Sequence, residues 1–107
     1  MDSYETLKQL FDGKKAVSVR QSIFGPIVQH YATDIIKVLF PSHTASKTMI
    51  IKLSSGGLFS VTTKRHINNA LRALGVNASV YQRNNTWYID DNGTEQVFFD
   101  GYVVNIW

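Results

Sequence analysis

The sequence predicts an α+β fold: a single domain that is mainly antiparallel β-sheet with two helices, in the order helix, strands, helix, β-meander. Apolar residues recur at helical spacing in two stretches, whereas the other apolar runs are short, rich in β-branched and aromatic residues, and separated by turn residues. The connections between these runs are too short for repeated helical crossovers, which favours an antiparallel over a parallel sheet.

The first helix is predicted over residues 2–13, DSYETLKQLFDG. Asp2 and Glu5 have the spacing of a capping box, and Gly13 can end the helix. The apolar positions with helical spacing are Tyr4, Leu7, Leu10 and Phe11.

Four strands are predicted between the helices. AVSVRQ alternates apolar and polar residues, as a half-buried strand does. IVQHYA, DIIKVLF and TMIIKL are three further strands, and we expect turns at residues 24–26, at Thr33-Asp34 and in PSHTASK. SSGG, residues 54–57, is predicted as a hairpin turn leading into LFSV.

The second helix is predicted over residues 62–75, TTKRHINNALRALG. Thr62 or Thr63 can serve as its N-cap and Gly75 marks its end, and its apolar face is Ile67, Ala70, Leu71 and Leu74. Its first turn then carries Lys64, Arg65 and His66, where the helix dipole favours acids. This mismatch costs less than about 1 kcal/mol at an exposed site.

The remaining chain is predicted to form the β-meander. ASVYQR, TWYI, EQVFF and YVVNIW are short apolar runs divided by Asn, Asp and Gly turns. We expect the apolar end, Ile106 and Trp107, to dock into the sheet, so that removing it destabilises the fold.

Composition limits the class of protein. The chain of 107 residues is 44% hydrophobic and 18% charged, which indicates one globular domain over residues 1–107 rather than disorder. It has no cysteine, no run of about 18 apolar residues, and no apolar segment in MDSYETLKQL. We therefore expect a cytoplasmic protein with no membrane span, secretory signal, disulfide or cysteine metal site.

Charge is distributed unevenly along the chain. Residues 35–89 contain no acid and seven bases, whereas residues 90–107 contain four acids and no base. This acid-free middle segment predicts a positive surface that attracts an anionic partner. The alternative is that folding mixes the segments and the late acids neutralise the bases.

The outer face of the second helix is the candidate binding surface. Arg65, Asn68, Asn69 and Arg72 have helical spacing, and all four side chains are hydrogen-bond donors. A plain solvated face is the alternative. The candidate residues for binding a partner or nucleic acid are Lys64, Arg65, His66, Asn68, Asn69, Arg72 and Arg83.

Aromatic residues lie on the two strands that follow this helix. Tyr81, Trp87 and Tyr88, with Arg83, are the residue types that stack single-stranded nucleic acid on a sheet. Strand alternation places Trp87 and Tyr88 on opposite faces, and we expect Trp87 to be buried in the core.

Enzymatic chemistry is poorly supported. His30, His43 and His66 have no metal-ligand spacing, and Asp90-Asp91 beside Asn92-Gly93 indicates a tight turn. No phosphate-binding glycine motif or nucleophile motif occurs. We expect no catalytic site, no metal and no cofactor, with a metal-free nuclease using a histidine and a nearby base as the alternative.

The stretches TTKRHINNALRALG, NNTWYI and FFDGYVVNI resemble the small accessory proteins that bacteriophages direct against the host or its defences. The resemblance covers about the C-terminal half. It implies binding either to nucleic acid or to a host enzyme such as a polymerase, nuclease or CRISPR effector. A basic chain is not expected to mimic DNA.

Two hypotheses follow for function. The first is a non-enzymatic protein that docks on a host or defence nucleic-acid-processing complex through the basic helix face, as an anti-CRISPR-like inhibitor does. The alternative is a nucleic-acid-binding protein whose middle segment contacts phosphates. The sequence leaves the oligomeric state open.

Overall fold

A computed structural model describes residues 2–39, 49–57 and 60–106. The described residues form two helices and eight strands, and the strands pair into two antiparallel sheets, which confirms the predicted fold class. The elements are α1 (Ser3–Leu10), β1 (Val17–Ser22), β2 (Gly25–His30), β3 (Thr33–Leu39), β4 (Met49–Leu53), α2 (Val61–Ala73), β5 (Ala78–Arg83), β6 (Thr86–Asp91), β7 (Thr94–Val97) and β8 (Tyr102–Ile106).

The larger sheet has the strand order β1-β2-β3-β4-β8, and the smaller has the order β5-β6-β7. The predicted meander is therefore confirmed for β5 to β7 and wrong for the last strand. β8 pairs with β4, because its alternating buried residues Tyr102 and Val104 complete the core of the larger sheet. Ile106 pairs with Met49, so this end of the chain docks as expected; Trp107 lies outside the described residues.

Two turns of the larger sheet differ from prediction. The β2–β3 turn is Tyr31-Ala32, and Thr33-Asp34 already belong to β3. Tyr31 takes the left-handed conformation, φ 54°, which a tight turn requires, and its N–H donates to the carbonyl of Ala16. At the first turn, Gly25-Pro26 begin β2 rather than forming the turn. The predicted turn PSHTASK lies outside the described residues.

The predicted hairpin at SSGG is wrong. No strand follows it among the described residues, since Ser60 caps α2 and Val61 begins it; Leu58 and Phe59 of LFSV lie outside the described part. The Asp100 carboxylate holds this loop, because the N–H groups of Ser55 and Gly57 donate to it at 2.7 and 3.1 Å.

Both helices have caps. The Asp2 carboxylate accepts from Glu5 N at 2.8 Å, as predicted. The N-cap of α2 is Ser60, not Thr62 or Thr63, and its hydroxyl accepts from Thr63 N at 3.1 Å. The helix thus begins earlier than predicted and Lys64 is its fourth residue, so the bases lie beyond the amides where the dipole mismatch is greatest.

The C-terminus of α2 is a Schellman motif. Gly75 has φ 74°, its N–H donates to Arg72, and the N–H of Val76 donates to Leu71. This ends the helix where predicted and turns the chain into β5. Side chains from both sheets and both helices then share one hydrophobic core, which includes Leu7, Val28, Ile36, Ile51, Ile67, Leu71, Trp87 and Ile89.

Gly56 is expected to be essential to the loop held by Asp100. A Cβ at Gly56, φ 66°, would lie 2.3 Å from Thr33 Oγ1 and 2.9 Å from Thr33 Cβ, so rotation of the threonine cannot relieve the clash. Gly57, φ 82°, has no atom within 4 Å of such a Cβ. Left-handed strain alone costs about 1–2 kcal/mol.

We expect Gly56→Ala to lower the free energy of unfolding by at least about 2 kcal/mol, and Gly57→Ala by only the strain. Urea unfolding of the two variants measures the difference. Equal losses would show that Thr33 and Gly56 are not in close contact.

Candidate functional site

Asn68 ties α2 to the edge of the smaller sheet. Its amide nitrogen donates to the carbonyl of Val80 at 2.8 Å, and its amide oxygen accepts from Val80 N at 2.7 Å. The side chain thus takes the place of a neighbouring strand for β5. The sequence predicted that Asn68 belongs to a binding face. A single Asn at helical spacing gives no sign that the edge of a strand lies opposite its side chain, so this contact could not be predicted.

Lys64 and Trp87 lie at the same junction. The Lys64 ammonium donates to Gln82 Oε1 at 3.2 Å and lies 5.5 Å from the centre of the Trp87 ring. Trp87 is 4% exposed, which confirms that it belongs to the core. Lys64 therefore makes contacts that join α2 to β5 and β6.

Arg83 lies on the outer face of the smaller sheet with two tyrosines. Its guanidinium forms an ion pair with Glu95 at 2.8 Å and lies 4.6 Å from the Tyr88 ring centre. The Tyr81 and Tyr88 rings are stacked with centres 5.9 Å apart, and Tyr81 Oη donates to the Glu95 carboxylate.

The titration of these groups reflects the same contacts. The hydrogen bond to Glu95 raises the pKa of Tyr81 to about 12. Hydrogen bonds from Arg83 and Tyr81 hold the pKa of Glu95 below its usual value. A nucleobase that stacks on Tyr88 has to displace the Arg83 guanidinium and approach the Glu95 carboxylate. Both requirements disfavour this face as a platform for nucleic acid.

His30 and His66 meet although the sequence separates them widely. Their ring centres are 4.9 Å apart, and the His66 ring also contacts Phe11 at 5.4 Å. His30 Nδ1 shares a hydrogen bond with the Thr63 hydroxyl at 3.3 Å, so the pair connects β2 to the first turn of α2. The sequence contains no signal for this pairing; His43 lies outside the described residues.

Burial lowers the pKa of both histidines from the usual 6.5. For His66, the charges of His30, Arg65 and Lys14 lower the pKa further, and no carboxylate contributes. Lys14, which precedes β1, thus acts on the same histidine as Arg65. The acid-free sequence after residue 35 did not reveal this contribution from the N-terminal segment.

Arg65 and Arg72 are the exposed cations of α2. Two helical turns separate them, about 10 Å, and neither side chain has a hydrogen-bond or ion-pair partner within residues 2–39, 49–57 and 60–106. Asn69 lies between them, half-buried. We refer to Arg65, Asn69 and Arg72 as the basic face.

The Arg72 end of the basic face borders a cavity of about 250 Å³ between α2 and β5. Arg72, Asn77, Ser79 and Asp90 line it with polar groups. Of the seven candidate residues, the structure therefore brings Arg65, Asn69 and Arg72 to one surface. It gives Lys64, Asn68, His66 and Arg83 contacts within the fold.

Within the described residues, neither a metal-binding cluster nor a membrane-spanning helix is found. No group of three His, Asp or Glu side chains there could hold a metal ion. Neither helix is long and apolar enough to cross a membrane.

The fold and this surface define a small α+β protein with a basic helix face. The family model of the Kyanoviridae Gp96 protein matches residues 9–105, and the chain belongs to that family. Kyanoviridae is a phage family, so the chain is a small phage protein, as its resemblance to phage accessory proteins predicted. No curated protein and no solved structure matches it.

Asn68 offers a test of how α2 is attached to the smaller sheet. We expect Asn68→Ala to lower the free energy of unfolding by about 2 kcal/mol, because it leaves the N–H and C=O of Val80 without partners. Asn69→Ala is the control in the same helix, with an expected change within about 0.5 kcal/mol. Similar losses in urea unfolding would contradict the role of Asn68.

The two histidines predict a pH dependence of stability. Because both folded-state pKa values lie below 6.5, the unfolded chain binds more protons as the pH falls below 6.5. The contribution of the two neutral histidines to the free energy of unfolding is fully present above pH 6.5 and is lost as the pH falls through their folded-state pKa values.

Urea unfolding between pH 7.5 and about 5 measures this slope, above the range where carboxylates titrate. We expect the slope to be smaller in His66→Gln, and also in Lys14→Gln, because a neighbouring positive charge is removed. An unchanged slope in both variants would show that these groups do not set the pH dependence.

Proposed function

We propose that this phage protein is a small non-enzymatic binding protein that docks on a host or defence nucleic-acid-processing complex through the basic face of α2. An inhibitor of the anti-CRISPR kind acts in this way. The place of action is the host cell cytoplasm, where such complexes work.

The observation that carries the proposal is the pair Arg65 and Arg72. Both are exposed at a spacing of two helical turns, and neither has a partner among the described side chains. By contrast, Lys64, Asn68 and Arg83 stabilise the fold. Arginines that the fold does not use are suited to carboxylates on a partner surface, since the guanidinium forms two parallel hydrogen bonds with a carboxylate.

Electrostatics supports the same direction. Arg65 and Lys14 both lower the pKa of His66, and no carboxylate opposes them. The Arg65 end of the basic face therefore has a positive field. Such a field attracts an acidic patch on a protein. It disfavours a mechanism based on mimicry of DNA.

We propose a protein without enzymatic activity because the side chains of the histidines near this face pack within the fold. His30 is 5% exposed and shares a hydrogen bond with Thr63. The His66 ring packs against Phe11 and His30.

Direct binding of nucleic acid is the second candidate. It is favoured by the basic residues of the acid-free segment for which the described part of the chain offers no hydrogen-bond or ion-pair partner, Lys37, Lys52, Arg65 and Arg72. The tyrosine face does not add to it, because Arg83 lies over Tyr88 and pairs with Glu95.

Charge reversal tests the docking proposal. The tagged protein, Arg65→Glu/Arg72→Glu and the control Lys8→Glu/Lys15→Glu are used to capture proteins from nuclease-treated host lysate. The control reverses two exposed lysines that do not belong to the basic face, so both variants have the same net charge. We expect a nucleic-acid-processing protein to be captured by the wild type and the control, and its capture to fall at least about tenfold with the arginine variant.

The arginine variant must unfold at a temperature close to that of the control, so that loss of binding is not loss of fold. Capture that both variants retain would refute the role of Arg65 and Arg72. The second candidate is tested by fluorescence anisotropy of labelled single-stranded and duplex DNA and RNA across salt concentrations. A log–log slope of about 0.9 per contacted duplex phosphate would favour direct binding of nucleic acid over docking.

A further inference from the structure

The face of the larger sheet that points away from the helices carries exposed side chains, among them Arg20, Lys52 and Val103. Core residues such as Ile36, Val38 and Ile51 point to the other face, toward α1 and α2. The strand register places one row of side chains across all five strands on the open face, in the order Arg20, Ile27, Lys37, Lys52 and Val103.

Lys37 and Lys52 lie directly opposite each other in this row. Like charges in directly opposed positions destabilise an antiparallel pair, since their Cβ atoms are about 5 Å apart. Neither ammonium has a hydrogen-bond or ion-pair partner among the described side chains. No ion pair among the described residues therefore relieves this repulsion directly.

A cavity of about 460 Å³ lies beside the two lysines. Its volume is in the range of small-ligand sites. Its lining includes the hydroxyl residues Thr33 and Ser54 and the acids Asp34 and Asp100.

Both acids of the cavity already accept hydrogen bonds from neighbouring groups. Asp34 pairs with Arg20 at 2.9 Å. Asp100 accepts from Ser55 N and Ser55 Oγ at 2.7 Å each and from Gly57 N. Burial opposes the ionisation of Asp100, but these hydrogen bonds outweigh it and lower its pKa. Arg20 thus neutralises Asp34, whereas Asp100 stays an anion because its donors are neutral, and the two lysines leave the cavity with an excess of one positive charge.

We propose that Lys37 and Lys52 bind a phosphate group in this cavity, with the hydroxyls of Thr33 and Ser54 as further donors. A phosphate between the two ammonium groups replaces their repulsion by two charge-assisted contacts. Ser54 Oγ accepts from Gly56 N at 3.3 Å and retains its own proton to donate. The site lies on the opposite side of the larger sheet from the helices and does not depend on the docking proposal.

Titration of the isotope-labelled full chain with inorganic phosphate, followed by NMR, tests the site. At constant ionic strength, we expect saturable shifts of the amides of Lys37, Lys52 and Ser54. The affinity should fall at least about tenfold in Lys37→Gln/Lys52→Gln and stay unchanged in Lys8→Gln/Lys15→Gln, which removes the same charge. Shifts that fail to saturate, or that persist in the first variant, would overturn the proposal.

Thermal unfolding gives a second readout that does not depend on the shifts. Without phosphate, Lys37→Gln/Lys52→Gln should unfold at a higher temperature than the wild type, because the opposed charges are removed. With phosphate, the wild type should gain more than the variant. An equal gain in both would show a general salt effect and contradict the site.

The source of the phosphate is distinguished by repeating the titration with a mononucleotide and with a single-stranded oligodeoxynucleotide. Tighter binding of the oligonucleotide through the same amides identifies a nucleic-acid backbone. Equal binding of the mononucleotide and inorganic phosphate identifies a free phosphate group as sufficient. Failure of all three probes overturns the proposal, and none of these outcomes affects the test of Arg65 and Arg72.

Discussion

The arrangement of the chain depends on the hydrogen bonds that the Asp100 carboxylate accepts from Ser55 and Gly57, which we call the Asp100 clasp. One carboxylate accepts hydrogen bonds from the loop after β4 and lies just before β8. It therefore fixes the point where the chain leaves the larger sheet for α2 and the point where it returns. Because β4 and β8 pair along five residues, the clasp lies at the end of a ladder that joins distant parts of the sequence. Tyr102, the first residue of β8, continues this connection, since its hydroxyl donates to Asp91 of the smaller sheet at 3.0 Å.

Helix α2 divides its polar side chains between two tasks. Asn68 and Lys64 face the smaller sheet and satisfy groups on β5, whereas Arg65 and Arg72 face away from the fold. Its buried stripe, which includes Ile67 and Leu71, packs in the shared core. The same helix can thus hold the two sheets together and expose arginines, because positions three and four residues apart repeat on different sides.

Local patterns in the sequence were sufficient for much of the fold. Asp2 and Gly75 were identified as helix-end residues because capping and left-handed turns depend on side chains within a few residues. The alternation of β5 and β6 likewise placed Trp87 in the core. The destination of β8 could not be predicted, since pairing with β4 joins residues about 50 positions apart and no local signal specifies it.

The candidate site was harder to predict for the same reason. The charge pattern identified Arg65 and Arg72 because exposure follows from helical spacing. It could not show that Asn68 meets a strand edge, that Lys14 approaches His66, or that Lys37 lies opposite Lys52. Each of these contacts depends on strand register or joins elements that are distant in sequence. The hairpin predicted at SSGG was wrong for the same reason, because the backbone N–H groups of this loop bond to Asp100, about 45 residues further along the chain.

The bond between Asn68 and Val80 also gives the smaller sheet a direction of growth. Its β5 edge is closed by the amide of Asn68, while no strand pairs with the outer edge of β7 among the described residues. A further strand from another polypeptide would have to displace Asn68 from Val80 at the β5 edge, whereas no side chain among the described residues bonds to the backbone of β7. Assembly by this route would extend the sheet away from α2 and leave Arg65 and Arg72 accessible.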